Sequence, residues 1–201
     1  MRSIFSFIIK PKEERYNNKK QLGDKNLILN TQISNHEYIS RHAIVLETPL
    51  YEKTNIQKGD EVIVHHNVFR RWHNVRGKEK NSRSYFEENK YFANLDQIFL
   101  YKRKTKWQAL KGFCFVKPLI SKDKFNIEKE KPFIGVLKYA DKTLLKNGIR
   151  EGDLVGFRPG SEYEFIINNE RMYRVLTALI TIKYDNQGKQ EEYNPSWIQS
   201  C

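Results

Sequence analysis

Asn55–Val64 reads NIQKGDEVIV, and Asn147–Gly156 reads NGIREGDLVG. Each sets a Gly-Asp pair directly before a β-prone run, Glu61-Val62-Ile63-Val64 in one and Leu154-Val155-Gly156-Phe157 in the other. Glycine reaches positive φ without steric cost and aspartate favours turns. Each stretch therefore predicts a tight turn that reverses the chain into a strand. A chain of 201 residues that writes one turn and one strand twice is a candidate internal repeat.

Other landmarks recur in the same order. Phe7-Ile8-Ile9-Lys10-Pro11 is echoed by Cys114-Phe115-Val116-Lys117-Pro118. Ala43-Ile44-Val45-Leu46 is echoed by Ile134-Gly135-Val136-Leu137, which sets Leu46 on Leu137. Glu88-Asn89-Lys90-Tyr91-Phe92 matches Asn169-Glu170-Arg171-Met172-Tyr173, which sets Phe92 on Tyr173 and Ile98 on Leu179. The first copy carries about 16 extra residues between Pro11 and Val45, and about 12 between Asp60 and Phe86. Two like cores are expected, with two long loops grown on the first alone.

The pattern within each copy is short β-prone runs bounded by Gly, Pro and Asp. Tyr163–Val175 has two such arms around Asn168-Asn169, a hairpin signal because asparagine tolerates positive φ. No long amphipathic helix is legible. Many short strands in about 80 to 110 residues predict a small closed β-barrel, since closure removes exposed sheet edges. The expected organisation is a first barrel over residues 1–103 with two long loops, a second over 104–184, and a tail over 185–201. Lys102-Arg103-Lys104-Thr105-Lys106 is the expected link.

Hydrophobic residues make up 39% and aromatics 13%, enough for packed cores, and no apolar run approaches the roughly 20 residues of a membrane helix. The start, Met1-Arg2-Ser3-Ile4-Phe5-Ser6-Phe7-Ile8-Ile9-Lys10, reads as a first strand rather than a signal peptide. Two cysteines far apart, Cys114 and Cys201, make neither a disulfide framework nor a metal cluster, so a reducing cytoplasm is the expectation. The net charge of +12 favours polyanionic or acidic partners.

The order of landmarks resembles the GroES-type co-chaperonin family. Ile56-Gln57-Lys58-Gly59-Asp60-Glu61-Val62-Ile63-Val64 and Ile149-Arg150-Glu151-Gly152-Asp153-Leu154-Val155-Gly156-Phe157 are both similar to that family's Val-Lys-x-Gly-Asp-x-Val-x-Phe signature. Leu95-Asp96-Gln97-Ile98-Phe99 resembles its terminal strand. The resemblance implies an all-β fold of two tandem GroES-like small β-barrels. It also implies a lid that docks on a chaperonin ring, assembles as a homo-oligomeric ring, and leaves ATP hydrolysis to its partner. Two barrels in one chain, and a long basic insertion, depart from the family. The enlarged Asn/Lys-rich chain most resembles the divergent co-chaperonins of tailed phages, which assist capsid protein folding in the host cytoplasm.

In that family a loop near the N-terminus presents an aliphatic triplet to the chaperonin. Leu27-Ile28-Leu29 is the sole apolar triplet of the first insertion, Glu13–Gln32, and stands in that place; the polar, turn-rich early part of the insertion predicts a loop that folds on binding. The alternative is an ordinary strand buried under its own domain. The second insertion, His65–Tyr85, holds six Lys/Arg against one acid. Phe69, Arg70, Arg71, Trp72, Arg76, Lys78, Lys80 and Arg83 are its candidate contacts. They would form a roof or subunit contact, a nucleic-acid surface in which cations meet phosphates and aromatics stack on bases, or a solvated loop. A virion or nucleic-acid-binding protein that reuses the barrel is the rival to a lid.

Catalysis is not expected. His65, His66 and His73 lack metal-ligand spacing, Cys114 sits in an apolar run, and Gly77-Lys78-Glu79-Lys80 lacks the spacing of a phosphate-binding loop. No cofactor and no membrane partner are expected.

Overall fold

In the computed structural model the two Gly-Asp turns are built bond for bond alike. Gly59 N donates to Val45 O at 2.8 Å, Val45 N to Asp60 O at 3.0 Å, and Asp60 N to Gln57 O at 3.1 Å. Gly152 N donates to Leu137 O at 2.7 Å, Leu137 N to Asp153 O at 2.9 Å, and Asp153 N to Arg150 O at 3.1 Å. Each aspartate then closes its own turn by accepting from the amide three residues back, Gln57 N at 2.8 Å and Arg150 N at 2.7 Å. The glycines hold φ of 88° and 93°, which a side chain would disfavour.

Residues 3–28, 35–121 and 130–185 are described. The chain divides into two units, Met1–Lys106 and Trp107–Cys201. The first holds β1 (Phe7–Pro11), β2 (Lys19–Leu22), β3 (Lys25–Ile28), β4 (His42–Glu47), β5 (Glu61–Val64), β6 (Arg71–His73), β7 (Glu79–Asn81), β8 (Tyr85–Glu87), β9 (Lys90–Ala93) and β10 (Ile98–Arg103). Strand β11 (Lys106–Ala109) carries the chain across the boundary. The second unit continues with β12 (Phe113–Ile120), β13 (Glu130–Tyr139), helix α1 (Lys142–Lys146), β14 (Leu154–Phe157), β15 (Tyr163–Ile167), β16 (Glu170–Leu176) and β17 (Ile180–Tyr184). The described chain is mostly β.

In the first unit the strands lie in the order β10-β5-β4-β1-β9-β8, and in the second β17-β14-β13-β12-β16-β15. With β11 and the hairpins β2–β3 and β6–β7 set aside, both sheets read sixth, third, second, first, fifth, fourth in chain order. Both are open in these pairings rather than closed on themselves. They also share irregularities. The register slips between Ile8 and Ile9 against β4, and between Phe115 and Val116 against β13. It slips again where Ile98 and Leu100 meet β5, and where Ile180 and Ile182 meet β14.

The register revises the sequence alignment by one residue in two places. Ile9 faces Val45 as Val116 faces Leu137, so Val45 rather than Leu46 is the counterpart of Leu137. Ile9 pairs Tyr91 as Val116 pairs Tyr173, so Tyr91 rather than Phe92 is the counterpart of Tyr173. The same shift carries on to β10, where Ile98 pairs Val64 as Ile180 pairs Phe157, so Ile180 rather than Leu179 is the counterpart of Ile98.

The second unit's core gathers Cys114, Val116, Leu137, Ala140, Leu144, Val155, Phe157, Tyr173 and Val175. Their counterparts Phe7, Ile9, Val45, Val62, Val64, Tyr91 and Ala93 are all buried. Strand side chains alternate between faces, yet Phe7, Ile8 and Ile9 are buried in succession, as are Cys114 to Leu119, so β1 and β12 are covered on both faces. Gly135 is set by this packing. A Cβ there would lie 2.5 Å from both Lys117 O and Val116 Cγ1.

Three expectations are corrected. Strand β1 begins at Phe7, after bends at Ile4–Ser6 rather than a strand from Met1. The polar stretch after Glu13 is a β-hairpin, β2–β3, with the two-residue turn Gly23-Asp24. The basic run at 102–106 is not a free connector: Lys102 and Arg103 end β10, Lys104 turns at φ 56°, and Lys106 opens β11. Helix α1, one short turn, escaped the sequence pattern. Asp141 caps it, accepting from Thr143 N at 3.1 Å and Leu144 N at 2.9 Å. Of the tail 185–201, all beyond Asp185 lies outside the described residues.

Candidate binding surfaces

The β2–β3 hairpin stands on a stem. Asn17 N donates to Tyr38 O at 2.8 Å and Ser40 N to Arg15 O at 3.1 Å, joining the two ends of the first insertion. Along the hairpin Lys19 pairs Ile28 and Leu22 pairs Lys25. Residues opposite or two apart share a face, so Leu22 and Leu27 lie on one side and Ile28 on the other. All three are exposed, at 56%, 50% and 57%. The structure thus adds Leu22 to the expected pair Leu27 and Ile28; Leu29 lies outside the described residues. Leu22 was missed because a lone aliphatic between glutamine and glycine gives no run.

The second insertion is a second hairpin, β6–β7, in which Arg71 pairs Asn81, Trp72 pairs Lys80 and His73 pairs Glu79. The ladder extends at both ends, with Ser82 N to Arg70 O at 3.0 Å and Asn74 N to Lys78 O at 2.9 Å. Asn74 Oδ1 folds the tip by accepting from Arg76 N at 3.0 Å and Lys78 N at 2.9 Å. Pairing sorts the side chains into two sets. Arg71 and Asn81 turn inward: the Arg71 guanidinium lies 4.7 Å from the Tyr16 ring centre and bonds Glu79 at 3.0 Å, while Asn81 accepts from Arg15 at 2.8 Å. Arg70, Trp72, Lys78 and Lys80 occupy the opposite face, and all four are exposed.

Phe69 is corrected. It is fully buried, edge-on to Tyr91 with ring centres 4.8 Å apart, so it anchors the insertion from beneath and makes no outward contact. Val68 is buried beside it. Arg76 and Arg83 are exposed, while Arg71 is half-buried and committed to Tyr16 and Glu79.

One side chain ties the two insertions together. Arg15 donates Nε to Phe69 O at 2.6 Å, Nη2 to Arg70 O at 3.1 Å and Nη1 to Asn81 Oδ1 at 2.8 Å. Its guanidinium carbon lies 5.1 Å from the Tyr91 ring centre, and burial pulls its pKa below that of an ordinary arginine. Tyr16 OH accepts from Arg71 N at 2.9 Å. Tyr173, the counterpart of Tyr91, is also covered by a guanidinium, that of Arg171 at 5.0 Å. There Arg171 bonds Glu130 at 3.0 Å and Glu164 at 2.9 Å, and Tyr173 OH donates to Glu130 at 2.8 Å. Burial, then the bond to Glu130, pushes the Tyr173 hydroxyl up. This network cross-links β13, β15 and β16 and presents no nucleophile.

His36, His65 and His66 cluster at the root of the second hairpin. The His65 and His66 ring centres lie 4.3 Å apart and those of His36 and His66 5.4 Å. Burial first, then the charges of His65, Arg41 and His36, pull the His66 pKa down to about 3. The rings are tilted against one another, by 31° and 46°, and His65 Nδ1 accepts from Asn67 N at 3.1 Å. Among the described residues no group is disposed to hold a metal ion. Burial pushes the Cys114 thiol up to about 12, so it stays protonated, and its Sγ donates to Val175 O at 3.4 Å. No helix among the described residues is long and apolar enough to cross a membrane.

No protein-family model, no curated protein and no solved structure matches the chain.

Proposed function

We propose that the chain is a co-chaperonin-like lid, built from two GroES-like barrels and docking on a chaperonin ring through the β2–β3 hairpin. The observation that carries this reading is the hairpin itself. Among the described residues it is found in the first unit alone, is raised on a paired stem, and exposes Leu22, Leu27 and Ile28. Surface aliphatics grouped on a projecting element mark an interaction site more than solvation does. The common strand order and the matching Gly-Asp turns support descent of both units from one barrel-like ancestor.

Docking would bury these side chains in an apolar groove at about 25 cal/mol per Å². Three aliphatics make a weak contact alone, so a ring of copies would supply the avidity. The partner would hydrolyse ATP, and the protein would work in the cytoplasm that houses the chaperonin, a host cytoplasm if the chain is phage-encoded. A capsid protein is the client this reading favours.

The test is a refolding assay in which a chaperonin is supplied with this protein instead of its own lid. Recovery of a lid-dependent client with ATP supports the reading. Recovery no greater than with chaperonin and ATP alone contradicts it.

A further inference from the structure

We propose that the outward face of β6–β7 binds single-stranded nucleic acid, with Trp72 stacking on a base and Arg70, Lys78 and Lys80 on the flanking phosphates. The inference is independent of the lid reading, because the residues lie on a different hairpin from Leu22, Leu27 and Ile28.

Three observations carry it. The first is the sorting of charge. The hairpin's single acid, Glu79, is opposite His73 on the inward set and is bonded to Arg71, so nothing on the outward face neutralises it. Arg70, Arg76, Lys78, Lys80 and Arg83 have no ion-pair partner among the described residues. The second is Trp72. It is 37% exposed, and no ring or cation of the described residues stacks on it. An indole left open in a cationic setting is ready for a base, since stacking needs only a π-face and tolerates any sequence.

The third is rigidity and spacing. Trp72 and Lys80 are directly paired, which brings their Cβ atoms to about 5 Å. Arg70 and Lys78 sit two residues along their strands, about 6.8 Å away. Cations therefore stand on both sides of the indole, where the phosphates of a stacked nucleotide fall. Buried Phe69 and the three Arg15 bonds hold the platform from below, so little ordering remains to be done on binding. A duplex hides its base faces and would leave Trp72 unused. An acidic peptide would use the cations alone.

The test is fluorescence anisotropy of a fluorescein-labelled 20-nucleotide oligo(dT) titrated with the full chain between 50 and 200 mM NaCl. Binding is expected, with a salt slope that Arg70→Gln plus Lys80→Gln flattens by about 1.4, from about 0.7 per phosphate contact. Trp72→Ala is expected to weaken binding about tenfold and to leave that slope unchanged. Circular dichroism shows whether the variants stay folded. No binding at 50 mM would overturn the proposal. So would equal affinity for heparin or for the corresponding duplex, or a Trp72→Ala variant that binds as wild type does, since each makes the contact one of charge alone.

Discussion

Arg15 Nε donates to Phe69 O at 2.6 Å, across 54 residues of sequence, and so fastens the stem of the first hairpin to the root of the second. The same guanidinium serves Arg70 O and Asn81 Oδ1. Removing it leaves two carbonyls and an amide oxygen without this donor. Arg15→Ala is expected to cost about 2–3 kcal/mol in urea unfolding. Arg15→Lys should recover only part of that loss, because an ammonium lacks the planar fork that meets three acceptors at once.

Phe69 and Trp72, three residues apart, should behave as opposites. Phe69→Ala is expected to cost about 3–5 kcal/mol, the penalty for emptying a buried aromatic site. Trp72→Ala should stay within about 0.5 kcal/mol of wild type, as exposed substitutions do. Thermal denaturation of the two variants side by side checks this. Equal losses would mean that Trp72 is a packing residue.

The glycines divide by cause. Gly59 and Gly152 have open space where a Cβ would go, so alanine there meets only the cost of positive φ, about 1–2 kcal/mol. Gly135 has ordinary φ and no room, and the atoms it would strike include backbone. Gly135→Ala should therefore destabilise by about 1–3 kcal/mol through overpacking, with a shift of Lys117 or its strand visible in amide chemical shifts. The Gly59 and Gly152 variants should show only local changes.

Acid should loosen the first unit in two stages. His66 is held to about 3 in the fold against an ordinary 6.5. Between those values the unfolded chain binds a proton that the folded chain refuses, so stability falls as pH drops below 6.5. Glu61 is lowered to about 2 by its bond from His42, opposed by burial and aided by Lys12. Its contribution is full above pH 4.5 and is lost as pH falls toward 2. A melting series from pH 7.5 to 3 should decline first gently and then steeply. His66→Gln should flatten the portion between 6.5 and 4.5.

The repeated Gly-Asp turns were legible because a positive-φ glycine and a side-chain-closed turn need particular residues at particular spacing. The strands that follow them were legible for the same reason. Register was less so: Val45-Leu46 and Tyr91-Phe92 each set two apolar side chains in succession, either of which fits the pattern, and only the pairing shows that Leu46 and Phe92 were one place out. Phe69 looked like a surface aromatic because cations follow it, and only the position of Tyr91 shows that it points inward. The hairpin β2–β3 was hidden by its polarity. Leu22-Gly23-Asp24-Lys25 is a turn signal, but the arms bury none of the side chains described there, so no hydrophobic alternation frames it. In α1 one turn is too short for helical periodicity, and Asp141 before Lys-Thr-Leu-Leu-Lys was its sole sign.

The measurement that tests the central claim most directly is co-elution of the full chain with a bacterial chaperonin ring on gel filtration, with and without ATP, beside a Leu22→Ser, Leu27→Ser, Ile28→Ser variant. The account predicts a nucleotide-dependent complex for the wild type that the triple variant loses while keeping its fold, with Trp72→Ala still bound. Wild type that elutes free of the chaperonin in every nucleotide state, or a triple variant that binds as well as wild type, would contradict it.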